Sequence, residues 1–297
     1  MNFEQTMEIY RGMIENGLEA CMARESIPLK LREAMAYSLC GGGKRLRPVL
    51  ALAACDMFEG NLAAALPLSC ALEMIHAYSL IHDDLPCMDD DDFRRGKPSS
   101  HKAFGEAMAV LAGDALLSYA FETLSDAALL WQPQMPSYLV AVREIARAAG
   151  ASGMVAGQAA DLEGEGSNVS AARERLRYIH TRKTGAMLRA SLMAGAYVGT
   201  PSDAEAAALS RFGGLFGLLF QITDDVLDEE GSLLTLGKTP GKDKAAQKLT
   251  YPACVGLEES KRMARETAEE ALAVLEGFGE RAEFLAALTE RTLMRKN

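Results

Sequence analysis

Residues 82 to 95 read His-Asp-Asp-Leu-Pro-Cys-Met-Asp-Asp-Asp-Asp-Phe-Arg-Arg, with six aspartates inside ten positions and Arg94 and Arg95 directly after them. Carboxylates this crowded repel one another unless a cation sits among them. Hard oxygen ligands suit Mg²⁺, which keeps several waters and takes one or two carboxylates together with substrate phosphates. Forked guanidinium donors match phosphate oxygens. The stretch therefore fits a Mg²⁺–diphosphate site, against the alternative of an acidic, solvated helix end.

A second acidic cluster, Asp224-Asp225-Val226-Leu227-Asp228, follows Gln221. On a helix, residues four apart are neighbours, so Asp224 and Asp228 share a stripe, as do Gln221 and Asp225. Two such clusters facing each other can hold metal ions between them and leave coordination positions for a diphosphate. The first cluster is spaced differently. Asp83 and Asp89 lie about 120° apart on a straight helix, and Pro86 disfavours helix at Leu85. The helix is therefore expected to end near Asp84, with Asp89 folding back from the loop. Asp90 to Asp92 read as solvated or supporting residues.

His76 lies two turns before Asp83 on the same stripe, so it is either a satisfied core histidine or part of a cavity. The pair His82-Asp83 would suit a metal phosphohydrolase only with further histidine ligands; the remaining histidines, His101 and His180, stand in unrelated contexts. Gly41-Gly42-Gly43-Lys44-Arg45-Leu46-Arg47-Pro48 is a basic motif but not a phosphate loop of the G-x-x-x-x-G-K-[ST] kind. Its glycines permit close backbone approach, and Lys44 and Arg47 stand at a helix start, which favours anions. The other basic points are Arg94-Arg95, Lys183-Thr184, Lys238 and Lys248. Two basic sets beside two acidic sets suggest two diphosphates, one chelated through metal and one held directly by Lys and Arg.

The elements that position these residues are helices. Ala, Leu, Glu, Arg and Met dominate, and alternating β-branched runs are nearly absent. About ten helices are expected, over 3–23, 29–40, 46–58, 65–84, 102–127, 137–163, 171–197, 203–229, 252–275 and 280–295. Gly41 to Gly43, Gly60-Asn61, Pro133 and Pro136, 164–170 and Thr200-Pro201-Ser202 mark breaks. Ser202 and Glu205 form a capping box. Residues 237–248 make a basic loop containing Lys238, Lys242, Lys244 and Lys248. The helices over 66–84 and 203–229 are apolar nearly all round and end in acids. Such helices are buried, and their acidic ends point to a cavity with a metal at its mouth. With no internal repeat, one all-α domain over 1–297 is expected.

The chain has 297 residues, 49% of them hydrophobic, enough for a sizeable core, and a formal net charge of −10. That charge argues against nucleic acid as a partner, which wants a basic face. No run of about 18 apolar residues is apparent, so no membrane-crossing helix is expected. The first ten residues do not read as a secretory signal, and the six cysteines form no C-x-x-C pair. Reduced thiols and a cytoplasmic location are the expectation, without a zinc site.

The strings GGGKRLRP, SLIHDDLPCMDDDDFRRGKP, GQAADL, KTGAML, FQITDDVLD and LGK…KLTYP, in this order, resemble the trans-isoprenyl diphosphate synthases. The likeness runs from about Leu29 to the C-terminus and is greatest to the bacterial type that makes farnesyl diphosphate. It implies an all-α bundle around a deep central cavity, and a homodimer. By resemblance, Asp83, Asp84 and Asp89 and then Asp224, Asp225 and Asp228 bind Mg²⁺ that chelates the allylic diphosphate. Arg94, Lys183, Thr184, Gln221, Lys238 and Lys248 line that site; Asp83, Asp89, Asp224, Lys183 and Lys238 carry the catalysis. Lys44, Arg47, His76 and Arg95 resemble the isopentenyl diphosphate site, and Gln158 and Asp161 support the cavity. The family sets product length by bulk four or five residues before the first motif, here Ser79 and Tyr78, and Tyr78 resembles the floor of a C15 enzyme. Helix geometry alone would put Ser79 beneath Asp83. The alternatives are a geranylgeranyl or geranyl diphosphate synthase, a terpene cyclase, whose second metal motif mixes Asn, Ser and Glu, and a non-catalytic subunit of a heteromeric synthase, which would lack an acidic motif.

Overall fold

The computed structural model describes residues 2–131, 135–164, 172–230 and 249–295. The chain is all-α. The helices are α1 (Phe3–Met22), α2 (Leu29–Leu39), α3 (Leu46–Met57), α4 (Leu62–Asp83), α5 (Ser100–Phe104), α6 (Glu106–Leu130), α7 (Met135–Ala149), α8 (Met154–Gly164), α9 (Ala172–His180), α10 (Ala186–Val198), α11 (Asp203–Glu230), α12 (Tyr251–Val255), α13 (Leu257–Glu276) and α14 (Glu283–Met294). Asn2 and Gln5 cap α1 reciprocally, and Asn61 caps α4. Ser202 and Glu205 form the expected box, with Glu205 N donating to Ser202 Oγ (3.3 Å) and Ser202 N to Glu205 Oε2 (3.0 Å).

Helix α4 is the axis of the bundle. It packs against α3, α6 and α10, and α10 packs in turn on α3, α7 and α11. Small residues make this crossing tight: a Cβ on Gly195 of α10 would collide with the backbone of Ala51 in α3. One hydrophobic cluster joins these helices to α1 and α14. A second, with Leu219, Ile222, Val226, Tyr251, Ala264 and Ala268, underlies the acidic end of α11.

Glycines cut several expected helices. The one over 102–127 is two, because Gly105 has φ 85° between α5 and α6. The one over 137–163 breaks at 150–153, where Gly150 and Gly153 lie, and the one over 252–275 at Gly256 (φ 88°). The helix expected over 171–197 contains a π-helical turn, Thr181–Gly185. A two-stranded hairpin was not foreseen: β1 (Phe93–Arg94) pairs antiparallel with β2 (Lys97–Pro98). Its turn residues Arg95 and Gly96 have φ 54° and 74°, the left-handed pair that a tight hairpin needs; an arginine in the first position hides the signal.

The expectation about membrane-length helices is also corrected. By length and composition α4, α6 and α11 are each long and apolar enough to cross a membrane. The apolar window of α4 is 72% buried within the protein, that of α6 only 39%. A window scan for unbroken apolar runs misses such helices because scattered polar residues interrupt them.

Candidate active site

Helix α4 runs to Asp83 and then stops, as Pro86 requires. The loop folds back on the helix end: Asp89 N donates to Asp83 O (2.9 Å) and Asp91 N to Asp84 O (3.2 Å). Asp83 Oδ1 accepts from Gln158 Nε2 (2.7 Å) on α8. The carboxyl of Asp83 is pushed up to about 6, first by burial. Lys183 opposes that rise, Asp89 adds to it, Arg94 opposes it and Asp84 adds to it. Asp84, fully buried, turns the other way and accepts from Arg94 Nε (3.0 Å); Arg94 also reaches Asp91 (3.4 Å).

Helix α8 links this acidic end to Lys183. Gly157 allows the approach: a Cβ there would lie 2.7 Å from Lys183 Cα in the π-turn. Lys183 Nζ donates to Asp161 Oδ2 (2.6 Å), one turn after Gln158. The same turn meets α11 through Gly217, where a Cβ would lie 2.9 Å from Gly185 Cα. Single π-turns inside helices frequently mark functional sites, and this one carries both Lys183 and Thr184.

The basic residues form an opposite pole. Gly42 and Gly43 take φ 85° and 133°, and a Cβ on Gly43 would lie 2.8 Å from the Arg95 guanidinium. Arg95 Nη1 donates to Gly42 O, so the glycine loop and the hairpin turn are joined although 53 residues separate them. Arg45, between Lys44 and Arg47, has another task. It is buried at φ 50° and ion-paired to Glu15 and Glu73 (both 2.7 Å). Losing one partner of such a pair costs about 3–5 kcal/mol.

Arg47 differs. Burial lowers the pKa of its guanidinium from the usual arginine value, and Nε has no hydrogen-bond partner among the described residues. Glu73 and Asp224 support its charge while Arg95 opposes it. The residue is half-buried, and a buried polar atom left unpaired costs about 1–3 kcal/mol, a cost that an anion accepting from Nε would relieve. His76 is held well below the usual histidine range by burial, then by Arg47, Arg95, Arg94 and Arg45. It is neutral at neutral pH and can donate one N–H.

The acidic end of α11 is arranged otherwise. Asp224 is exposed and accepts from Arg295 Nη2, whose guanidinium lies over the Phe220 ring (4.7 Å). Arg295 and Asp224 both act on Lys44, whose ammonium is depressed first by burial. Asp225 faces inward, accepts from Tyr251 N (2.8 Å) and lies 4.0 Å from His180 Nε2. Burial lowers His180 to about 4, leaving it neutral. Gln221 and Asp228 are half-buried on the same helix.

The structure thus gathers Asp83, Asp89, Gln158, Asp161 and Lys183 at one pole. Lys44, Arg47, His76 and Arg95 form the other, with Asp224 within electrostatic reach of Lys44 and Arg47. It does not gather all six expected metal ligands. Among the described residues the group close enough to share one ion is Asp90, Asp92 and His101. Three of the predicted ligands have protein partners: Asp84 accepts from Arg94, Asp224 from Arg295 and Asp225 from Tyr251 N. Arg94 correspondingly sits on Asp84. The expected Lys238 and Lys248 lie outside the described residues. Tyr78 is buried with its ring edge-on to His82 (5.7 Å), while the Ser79 hydroxyl donates back to His76 O (2.9 Å). Sequence reasoning missed Arg295 because a terminal arginine carries no spacing signal.

The donor set fits a hard divalent cation. All the candidate ligands are carboxylates, and the raised Asp83 carboxyl records repulsion and desolvation that a cation would relieve. An all-α bundle with acids at the ends of two long helices and an anion-demanding basic pole is the architecture of a synthase acting on diphosphates.

The polyprenyl synthetase family model matches residues 28–290, and the chain belongs to that family. It is similar to the heterodimeric geranylgeranyl pyrophosphate synthase large subunit 1, chloroplastic, of Arabidopsis thaliana, with 51% identity over 272 residues, 91% of this chain and 73% of the relative. Among solved structures it is similar to an FPP/GFPP synthase from Zymomonas mobilis, with TM-score 0.85 and 38% identity over 98% of this chain and 99% of that one. A geranyltransferase from Legionella pneumophila aligns with TM-score 0.87 and 35% identity over 99% and 97%. The chain is a trans-prenyltransferase of the isoprenyl diphosphate synthase type.

Proposed function

We propose that this chain condenses isopentenyl diphosphate head-to-tail with dimethylallyl and then geranyl diphosphate, releasing pyrophosphate and making farnesyl diphosphate with Mg²⁺. The observation that carries two diphosphate positions is the half-buried Arg47, whose buried Nε has no partner among the described residues, beside His76 and Arg95 and apart from the Asp83–Asp89 carboxylates.

Asp83, Asp89 and Asp224 would hold the metal, with Asp225 and Asp228 behind them and Asp84 orienting Arg94. When bound, Mg²⁺ neutralises charge developing on the departing pyrophosphate. Lys183, released from Asp161, donates to the same oxygens. Arg47, Arg95, Lys44 and neutral His76 hold the isopentenyl diphosphate so that its double bond meets the allylic cation, and proximity replaces much of the bimolecular cost. The released pyrophosphate accepts the proton, since among the described residues no His or Glu is set as base.

The C15 product rests on Tyr78, a bulky buried ring five residues before Asp83. A geranylgeranyl product is the second reading, favoured by the similarity to the Arabidopsis geranylgeranyl pyrophosphate synthase subunit. A homodimer is supported by α6, whose Leu111 and Leu130 are 55% and 75% exposed. The free cysteines suit a reducing compartment such as the cytoplasm.

Incubation of purified protein with Mg²⁺, isopentenyl diphosphate and each allylic primer tests the reading, with products dephosphorylated and chromatographed. C15 is expected from the wild type and longer chains from Tyr78→Ala. No pyrophosphate release with any primer overturns the enzyme, and C20 from the wild type replaces the product. Light scattering of the chain alone separates a homodimer from a subunit that needs another.

A further inference from the structure

Asp90 and Asp92 have no part in the site above, yet they converge on a buried histidine. The hairpin is the cause. Ser99 N donates to Asp92 O (2.9 Å), closing the pair β1–β2 at its base and bringing the start of α5 against the acidic loop. Carboxylate oxygens of Asp90 and Asp92 and a ring nitrogen of His101 lie within 4.8 Å of one another. Asp90 reaches this position with a left-handed backbone, φ 47°. Asp91, between them, is directed away to Arg94.

His101 supplies the independent sign of a ligand. It is 6% exposed. Nδ1 bonds the Ser99 hydroxyl (3.1 Å), and Nε2 is buried without a hydrogen-bond partner among the described residues. Buried polar groups are nearly always partnered. A ring anchored at one nitrogen with the other unsatisfied is the arrangement of metal-ligating histidines, where the second bond fixes ring orientation. Metal–ligand distances of about 2.1 Å put ligand atoms up to about 4.2 Å apart, a gap that small rotations of the two exposed carboxylates close. Lys102 Nζ, 2.8 Å from Asp92 Oδ1, is a half-exposed ammonium that neutralises part of the charge.

We propose that Asp90, Asp92 and His101 form a second metal site, separate from the diphosphate-chelating acids and selective for a Zn²⁺- or Mn²⁺-type ion. Imidazole favours these ions, whereas Mg²⁺ prefers an all-oxygen shell. The ion clips the Asp89-bearing loop to α5 across the hairpin that carries Arg94 and Arg95. Its role is positional.

Titration calorimetry of the intact protein with Zn²⁺ in saturating Mg²⁺ tests this, with thermal unfolding followed in parallel. One Zn²⁺ per chain and a raised Tm are expected for the wild type. Asp92→Asn and His101→Gln should each weaken Zn²⁺ binding at least tenfold and abolish the Tm rise, whereas Asp224→Asn should leave both unchanged. The surface variant Asp92→Asn keeps the test decisive should His101→Gln fail to fold. Wild-type Zn²⁺ affinity in both variants overturns the proposal, as does loss of binding only in Asp224→Asn, or no Zn²⁺ binding by the wild type.

Discussion

The acidic ends of α4 and α11 look equivalent as strings but differ as structures. At α4, Asp83 is half-buried, gripped by Gln158 and carries a carboxyl raised to about 6. At α11, Asp224 is exposed and paired with Arg295, while Asp225 accepts from Tyr251 N. The first is a carboxylate whose charge is disfavoured by its surroundings, which a cation would relieve. The second is satisfied by the protein itself and must exchange partners to bind one. As proposed metal sites, two motifs of the same letters would therefore differ in preorganisation.

Replacing each acid is the strongest way to break that comparison. Asp83→Asn and Asp224→Asn should both lower kcat/KM by about 10²–10³-fold, the scale of removing one electrostatic stabiliser of the transition state. Circular dichroism should show both folded, and Asp83→Asn should lose more. Equal losses would mean that preorganisation at α4 has no catalytic weight. Gln158→Leu should follow, with Mg²⁺ affinity reduced about 10–100-fold through disorientation of Asp83; calorimetry with a substrate diphosphate checks it.

A pH series sharpens the contrast. The folded pKa of Asp83 lies above its ordinary value of 3.8. Its contribution to the metal-free fold is therefore fully present below about pH 4 and is lost as pH rises through about 6. The wild-type minus Asp83→Asn difference in Tm should fall across that window. Apparent Mg²⁺ affinity should drop below pH 6 as the proton competes. Arg295→Ala is the smallest test. Asp224 is exposed, so the pair is worth at most about 1 kcal/mol, and Mg²⁺ affinity should rise no more than several-fold.

Much of this was legible beforehand. The fold back of Asp89 followed from Pro86, and the capping box at Ser202 and the division between Lys183 and Arg47 poles followed from spacing and resemblance. The hairpin was not, because Arg95 occupies a turn position where Asn or Asp would have announced it. Nor was the role of Arg45, which stands between Lys44 and Arg47 in the basic motif. Only Glu15 and Glu73, brought from other helices, make it structural.

By itself the sequence determined the helical class, the chemical types at each pole and the family, because these depend on residue identity and short spacing. Tertiary structure alone decided which carboxylates are free to meet a cation. Asp84 went to Arg94 and Asp225 to Tyr251, while Asp90 and Asp92 were carried to His101. Those pairings depend on burial and on which distant element arrives first, and neither is written in local spacing.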